Sequence, residues 1–436
     1  MLDPNVMSPS LTKNLGFSTA AVPSNLYYSA EQFELERERI FRRAWLKIGR
    51  IEQIPNAGDF FLKDIDLFSA SIIVSRGRDG SIHALHNVCS HRGNQVVHER
   101  EGNRQKFTCR YHSWTFQNTG ELVGVPDERS FFGLDKKKCG LTGVAVDVWE
   151  GWIFINFQAK PEVSLKEFLG PFGDAFSGVA YPNPENAVVL RGEFQANWKT
   201  VADAFSEAYH LASIHPKTFG PLYAGKGNPF SRPLSAEIYG PHRSMSTWLD
   251  TTYEIPTSAK VERWVNPPGE TVTGTRKPGQ RNALIDHPAI NPSKSEAWAS
   301  DAKWVFPNWH IQISANMFWT HEFWPVSATR TKWEGRFYVP KPATVRERIQ
   351  LEYFTAKMSD GMLEDLSNIE STQRGMMSGA KPFLILQDGE LLIRHSLEQV
   401  VKWTSSITAA QALDMSPPTS ARPAGLTPSA VNVGAA

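Results

Sequence analysis

The chain of 436 residues is too long for one ordinary domain, and two or three are expected. Its 46 basic residues balance 45 acidic ones with no basic tract, which argues against nucleic acid or an anionic membrane as partner, and no apolar run is long enough to span a bilayer. With three cysteines and no secretory apolar stretch between Met1 and Tyr28, a cytoplasmic protein is expected, without a disulfide scaffold and with Cys89 and Cys109 as candidate metal ligands.

Residues 1 to about 28 carry Pro4, Pro9 and Pro23 and read as an arm on the surface or on a neighbouring subunit. Ser29 caps a predicted helix from Ala30 to about Trp45, with Phe33, Ile40, Phe41 and Trp45 to bury. Strand patterns follow to about residue 160. Ser71 to Val74 and Ile82 to Val88 flank an Asp-Gly tip, Trp114 to Phe116 and Leu122 to Val125 flank Asn118-Thr119-Gly120, and Val144 to Val148 and Trp152 to Phe157 flank Glu150-Gly151. This predicts a small antiparallel β domain over 45–160 after an N-terminal arm and helix over 1–44.

A second domain is expected over 161–410. It opens with a Pro- and Gly-interrupted connection to about residue 185 that holds one short helix around Leu165 to Leu169. A strand at Ala187 to Gln195 leads into a predicted helix from Asn197 to Pro216. Two loop-rich stretches, Phe219 to Pro241 and Asn266 to Pro292, suggest functional lids. Strands return at Trp309 to Trp319 and Arg330 to Val339, then a long helix from Ala343 to Gly375 broken near Gly361, and a last helix from Glu390 to Trp403. The tail over 411–436 has little to bury and is expected to be disordered.

Two constellations carry chemistry. Cys89-Ser90-His91 and Cys109-Arg110-Tyr111-His112 give C-x-H-x17-C-x2-H, so each loop supplies one thiolate and one imidazole. That donor set fits a [2Fe-2S] cluster with two cysteines on one iron and two histidines on the other, which raises its reduction potential. A structural Cys2His2 zinc site uses the same ligands, and a Cys89 to Cys109 disulfide or ordinary core residues are the blander alternatives.

The second constellation lies in the predicted helix, where Asp203, Glu207 and His210 share one stripe at i, i+4 and i+7 opposite apolar residues such as Val201, Ala202 and Phe205. His215 lies about 140° further round an ideal helix, so both histidines reach one ion only if the helix distorts or ends between them, and Pro216 supplies the reason. Two histidines and one carboxylate on Fe(II) leave adjacent positions open for O2. The third ligand is expected to be Asp365, on the apolar face of the long helix where a buried carboxylate needs a cation. Asp388, in a Gln-Asp-Gly turn, is the weaker candidate.

Arg92-Gly93 after the first histidine and Trp114 after the second make the first motif resemble a Rieske domain. From residue 38 to about 403 the chain resembles the catalytic α subunit of Rieske non-heme iron oxygenases, the aromatic ring-hydroxylating dioxygenases. The resemblance rests on Asn197-Trp198-Lys199, Glu207-Ala208-Tyr209-His210, His215-Pro216, Glu364-Asp365, Glu370 and Gln373-Arg374-Gly375.

It implies an α+β chain, a Rieske domain followed by a helix-grip catalytic domain with a curved antiparallel sheet over a long helix. It also implies a cluster on Cys89, His91, Cys109 and His112, iron on His210, His215 and Asp365, and a homotrimer or α3β3 assembly. There Glu207 bridges the cluster of one subunit to the iron of the next through His112 and His210, and Asp203 is either a second link or an ordinary acid. No dinucleotide motif is present, so NAD(P)H is expected to act through a separate reductase, directly or by way of a ferredoxin, with Arg92 and Arg110 as candidate docking residues. Trp304, Phe306, Trp309, Ile311, Ile313, Phe318 and Trp319 are the candidates for lining a pocket for a hydrophobic substrate, with sheet core as their bland reading. Ring hydroxylation ranks first by class frequency, N- or O-demethylation or alkyl hydroxylation second, and an electron-transfer module or zinc protein is the non-oxygenase alternative.

Overall fold

The computed structural model describes residues 10–182, 184–265, 284–314, 317–339 and 341–415. The first nine residues of the expected arm, residues 266–283 of the second loop-rich stretch and the tail from 416 lie outside the described residues.

Seven antiparallel strands make the first sheet, in the order Leu46–Arg50, Trp152–Asn156, Gly143–Trp149, Ile82–His86, Ala70–Arg76, Asp59–Ile65 and Glu101–Asn103. A three-stranded sheet of Lys106–Thr108, Thr115–Gln117 and Leu122–Gly124 carries the remaining hairpin. All three predicted hairpins form. Gly80 and Gly151 at two of their tips take φ of +84° and +78°, which a side chain disfavours.

A second seven-stranded antiparallel sheet runs in the order Ala187–Phe194, Arg330–Tyr338, Phe318–Ser327, Trp309–Ser314, Trp298–Val305, His242–Trp248 and Ser235–Tyr239, with bulges at Thr247/Trp248 and Pro325/Ser327 that bend it. Alternation along each strand gives the sheet two working faces. Phe318 and Trp309 point to the first domain and meet Trp152 at ring separations of 6.2 and 4.7 Å. Trp319 and His321 point to the other face, toward the helix Val345–Met377.

Departures from the sequence reading have local causes. The predicted strand Trp309 to Trp319 is instead the whole of the strand Trp309–Ser314 and the start of Phe318–Ser327, paired antiparallel, because both are rich in aromatic and β-branched residues and only a short Ala-Asn-Met stretch separates them in sequence. The stretch read as loop over 219–241 contains the short helix Gly220–Tyr223 and the edge strand Ser235–Tyr239, which pairs with His242–Trp248.

The long helix is continuous through Gly361, where a break was expected. A Cβ there would lie 2.1 Å from the Phe219 ring, so the glycine serves close packing rather than a kink. Gly361→Ala is therefore expected to lose about 1–3 kcal/mol to overpacking despite the roughly 1 kcal/mol gain in helix propensity, and Phe219→Ala in the same chain should recover most of it, both read by chemical denaturation.

At the N-terminus Ser29 caps the helix as expected, its hydroxyl accepting from the Gln32 N–H at 3.1 Å. The α-helix stops at Glu36 and continues as a π-helical turn over Arg37–Phe41 instead of running to Trp45. Glu36, fully buried, accepts from Trp198 Nε1 at 2.8 Å and Lys199 Nζ at 2.6 Å, which pins this helix to the second domain.

Candidate metal centres and the adjoining cavity

The two cysteine loops are built alike. Cys89 N–H donates to Asn94 O and Cys109 N–H to Trp114 O, both at 2.8 Å, while Gly93 and Ser113, at φ +75° and +58°, return their N–H groups to the cysteine carbonyls. Backbone N–H groups of His91 and Arg92 point at one thiol, those of Tyr111 and His112 at the other, and the two thiols contact each other. Cys89 and Cys109 are buried, whereas the His91 and His112 rings sit 4.6 Å apart and half-exposed, with Trp114 stacked under His91. Paired thiols in a cradle of N–H donors beneath two imidazoles match what a [2Fe-2S] cluster with mixed ligands requires. Arg110 is tied to Glu99 at 2.7 Å and Arg92 lies over Tyr111, both at the exposed rim.

The stretch predicted as one ligand helix is not one. Helix Trp198–Asp203 stops, residues 204–210 form turns, and Leu211–Ile214 adds a single short helix before His215. Asp203, Glu207 and His210 therefore do not share a helical stripe, and Tyr209 is exposed. The cause is side-chain competition for the backbone: the Glu207 carboxylate accepts from the N–H groups of Tyr209 and His210, and Ser206 Oγ donates to the Ala202 carbonyl at 3.0 Å.

This break still brings the expected trio together. His210, His215 and Asp365 offer ligand atoms within 4.8 Å of one another. Asp365 Oδ1 lies 2.7 Å from His215 Nε2 and 3.3 Å from His210 Nε2. On the far side of each ring His210 Nδ1 meets Glu207, and His215 Nδ1 meets Glu364 at 2.7 Å with Thr218 Oγ1 donating to the same carboxylate. Those outer carboxylates fix the tautomer that leaves both Nε2 atoms facing inward, the arrangement ligating histidines need. Burial works against charge on His210, but hydrogen bonds to Asp365 and Glu207 outweigh it and raise the ring to about 10. Three carboxylates around two imidazoles ask for a cation, and a divalent metal satisfies all of them at once. Glu364 entered the sequence reading only as a neighbour of Asp365 in the resemblance, and neither it nor Thr218 was given a role there.

Asp203 lies apart from the trio. Tyr27 Oη donates to it at 2.6 Å, and burial pushes it up to about 7 against the pull of that bond, Arg243 and Lys199. Folding therefore favours its protonated form, and the associated stability is present below about pH 4 and lost as pH rises through 7. Asp203→Asn is expected to melt with a flatter dependence on pH between 5 and 8 than the parent chain, in a thermal titration. Asp388, the other carboxylate considered, accepts from Ser10 Oγ, Leu11 N and Thr12 N and so caps the N-terminal segment.

Beside the trio lies a cavity of about 120 Å³ whose walls include Phe219, Met245, Met317, Trp319, Phe354 and Met362. Of the seven sheet residues expected to line a pocket, Trp319 alone does so. Phe318 and Trp309 face the first domain, and Phe306 packs on Trp403. Among the described residues no helix is long and apolar enough to cross a membrane.

Comparison with known proteins agrees with this architecture. Residues 44–145 match the family described as Rieske [2Fe-2S] domain, and residues 179–406 match Ring hydroxylating alpha subunit (catalytic domain). The chain is 35% identical over 208 residues to the N,N-dimethyl phenylurea N-demethylase subunit alpha of Sphingobium sp. (strain YBL2), covering 46% of this chain and 45% of that protein. It is 37% identical over 215 residues to the large oxygenase component of the naphthalene 1,2-dioxygenase system of Pseudomonas aeruginosa, covering 47% and 46%. The matched region thus spans about half the length of these curated relatives.

Among solved structures, a quaternary ammonium Rieske monooxygenase superposes with a TM-score of 0.71 at 18% identity over 92% of this chain and 99% of that one. Naphthalene 1,2-dioxygenase from Rhodococcus sp. bound to indole gives 0.67 at 23% over 91% and 95%; both share the fold. With its catalytic part matched over just over half of its length and a Rieske domain matched ahead of it, the chain belongs to the ring-hydroxylating α subunits of the Rieske non-heme iron oxygenases.

Proposed function

We propose that this chain is the oxygenase component that uses O2, and electrons from a separate NAD(P)H-dependent reductase, to hydroxylate an aromatic or similar hydrophobic compound. One observation carries the reading: two inward-facing Nε2 atoms converge on the Asp365 carboxylate at the wall of a mostly apolar cavity. In this reading His210, His215 and Asp365 hold a mononuclear iron, and Cys89, His91, Cys109 and His112 hold the cluster. Such an iron keeps adjacent positions open for O2, and a histidine-ligated cluster supplies electrons one at a time.

The residues around these groups have separable duties. Glu207 holds the Nδ1 proton of His210 and is the link toward His112 of a neighbouring subunit, which calls for a homotrimer or an α3β3 assembly. Glu364 and Thr218 hold His215. Phe219, Trp319 and Met362 exclude water from the cavity and present the substrate's apolar part to the trio. Arg92 and Arg110 are offered as part of the surface met by the reductase or a ferredoxin, in a cytoplasmic setting, and Asp203 is either a second link in that relay or an acid with no role in it. The domain limits that go with this reading are 1–44, 45–160, 161–410 and 411–436.

Ring hydroxylation is the first reading of the outcome. N-demethylation is the second, favoured by the phenylurea demethylase among the relatives. The deciding experiment incubates the purified protein with a surrogate reductase, NADH and a panel holding fused aromatics and N-methylated aryl compounds, with products read by mass spectrometry. O2-dependent hydroxylated or demethylated product is expected. A colourless preparation with no rhombic cluster signal after reduction would overturn the reading in favour of a zinc protein.

A further inference from the structure

The cavity beside the trio has mostly apolar walls. Apart from the trio, Glu207 and Lys357, its polar lining includes Thr247, Gln312 and His321, where hydrogen bonds fix what Gln312 and His321 offer. His321 is 1% exposed, on the strand Phe318–Ser327, with its ring held between Phe205 at 4.5 Å and His310 at 5.3 Å and lining the cavity. Trp333 Nε1 lies 3.3 Å from His321 Nδ1. An indole N–H can only donate, so Nδ1 accepts and the single proton of the neutral ring sits on Nε2. Burial keeps the ring neutral, holding it down at about 3. Among the described residues no protein group partners Nε2, so a donor is left for whatever occupies the cavity.

Gln312 is the second polar group. It sits on the neighbouring strand, where His310 is opposite His321 and Gln312 opposite Trp319, so Gln312 is the diagonal neighbour of His321 on the same face. Thr247 Oγ1 donates to the Ser300 carbonyl at 3.0 Å, which leaves Ser300 Oγ to donate to Thr247 Oγ1 at 2.7 Å and to accept from Gln312 Nε2 at 2.8 Å. Each hydroxyl has one proton, so this chain of bonds turns the Gln312 amide nitrogen toward Ser300 and leaves its carbonyl oxygen free.

We propose that His321, donating through Nε2, and Gln312, accepting through Oε1, select a substrate whose apolar group carries a carbonyl oxygen with an N–H beside it, an aryl amide or urea. A carbonyl oxygen satisfies His321, the adjacent N–H satisfies Gln312, and the aryl group fills the apolar remainder against Trp319, Met358 and Met362. An occupant without these groups leaves one or two buried polar atoms unpaired, which costs affinity. The proposal rests on the reading of this cavity as the substrate site.

Binding to the purified full chain tests it, by calorimetry with three probes of one shape: acetanilide with C=O and N–H, phenylacetone with C=O alone, and isobutylbenzene with neither. His321→Phe is expected to weaken acetanilide and phenylacetone about fivefold and leave isobutylbenzene unchanged. His321→Gln, which keeps a donor, should restore part of the loss. Gln312→Leu should weaken acetanilide alone by a similar factor. If H321F yields no folded protein, the acetanilide to phenylacetone split in Q312L decides. A loss shared equally by all three probes, a loss for none, or no binding by any probe overturns the proposal. Iron content and the reduced cluster signal of the same preparations report on the oxygenase reading separately, so the two can fail independently.

Discussion

Replacing Asp365 by alanine is expected to remove the mononuclear iron and leave the cluster spectrum intact. In the folded chain Asp365 is 7% exposed and its Oδ1 is the point on which both histidine Nε2 atoms converge. Without it two neutral imidazoles remain, with one oxygen donor fewer, and a two-ligand site holds Fe(II) poorly. The cluster loops hang from a different sheet and a separate core of Phe60, Phe107, Phe116 and Leu122, so nothing in that core changes. Metal analysis should fall from three irons per chain to two, reduced samples should keep their rhombic signal, and product formation should fall by at least about 10²-fold. Asp388→Ala, which frees only the N-terminal segment, should keep all three irons. If Asp388→Ala loses the mononuclear iron and Asp365→Ala keeps it, the ligand choice is wrong.

The contrast between these carboxylates shows what was legible in the chain and what was not. Asp365 could be picked out because 358, 362, 365 and 369 fall on one helical face, a regularity of local geometry that survives folding. The hairpins were legible for the same reason, since an Asp-Gly tip dictates its own backbone. The helix at 198–214 was not, because its interruption depends on whether the Glu207 carboxylate captures backbone N–H groups, and periodicity carries no record of that choice. Pocket lining failed on a finer point. Trp309 and Phe318 are as apolar as Trp319, and only the strand register decides that they face Trp152 while Trp319 faces the cavity. His321 went unnoticed on the same face because a lone histidine in a strand ordinarily reads as core. Interactions across hundreds of residues, such as Tyr27 with Asp203 or Gln373 with both Asn197 and Tyr27, have no local signature at all.

Lys47 with Glu322 is the most consequential of those distant pairs. Glu322, on the sheet face opposite the cavity, accepts from Lys47 Nζ at 2.5 Å, Lys63 Nζ at 2.7 Å and Trp324 Nε1 at 2.8 Å, and it is 1% exposed. Both lysines belong to the first domain, so one buried carboxylate holds the two sheets in register. Burial drives Lys47 down to about 8 even with its partner present, a sign that the ammonium depends on Glu322 for its charge. Glu322→Leu should leave Lys47 buried and unpaired and cost about 3–5 kcal/mol, lowering the melting midpoint by roughly 10 °C. The double variant Lys47→Met with Glu322→Leu should recover most of that loss, because matched apolar side chains remove the more deeply stranded charge, whereas Lys63, with 16% of its side chain exposed, keeps partial access to water. Melting curves of the three chains decide between this account and simple packing loss, which predicts that the double variant is worse than the single.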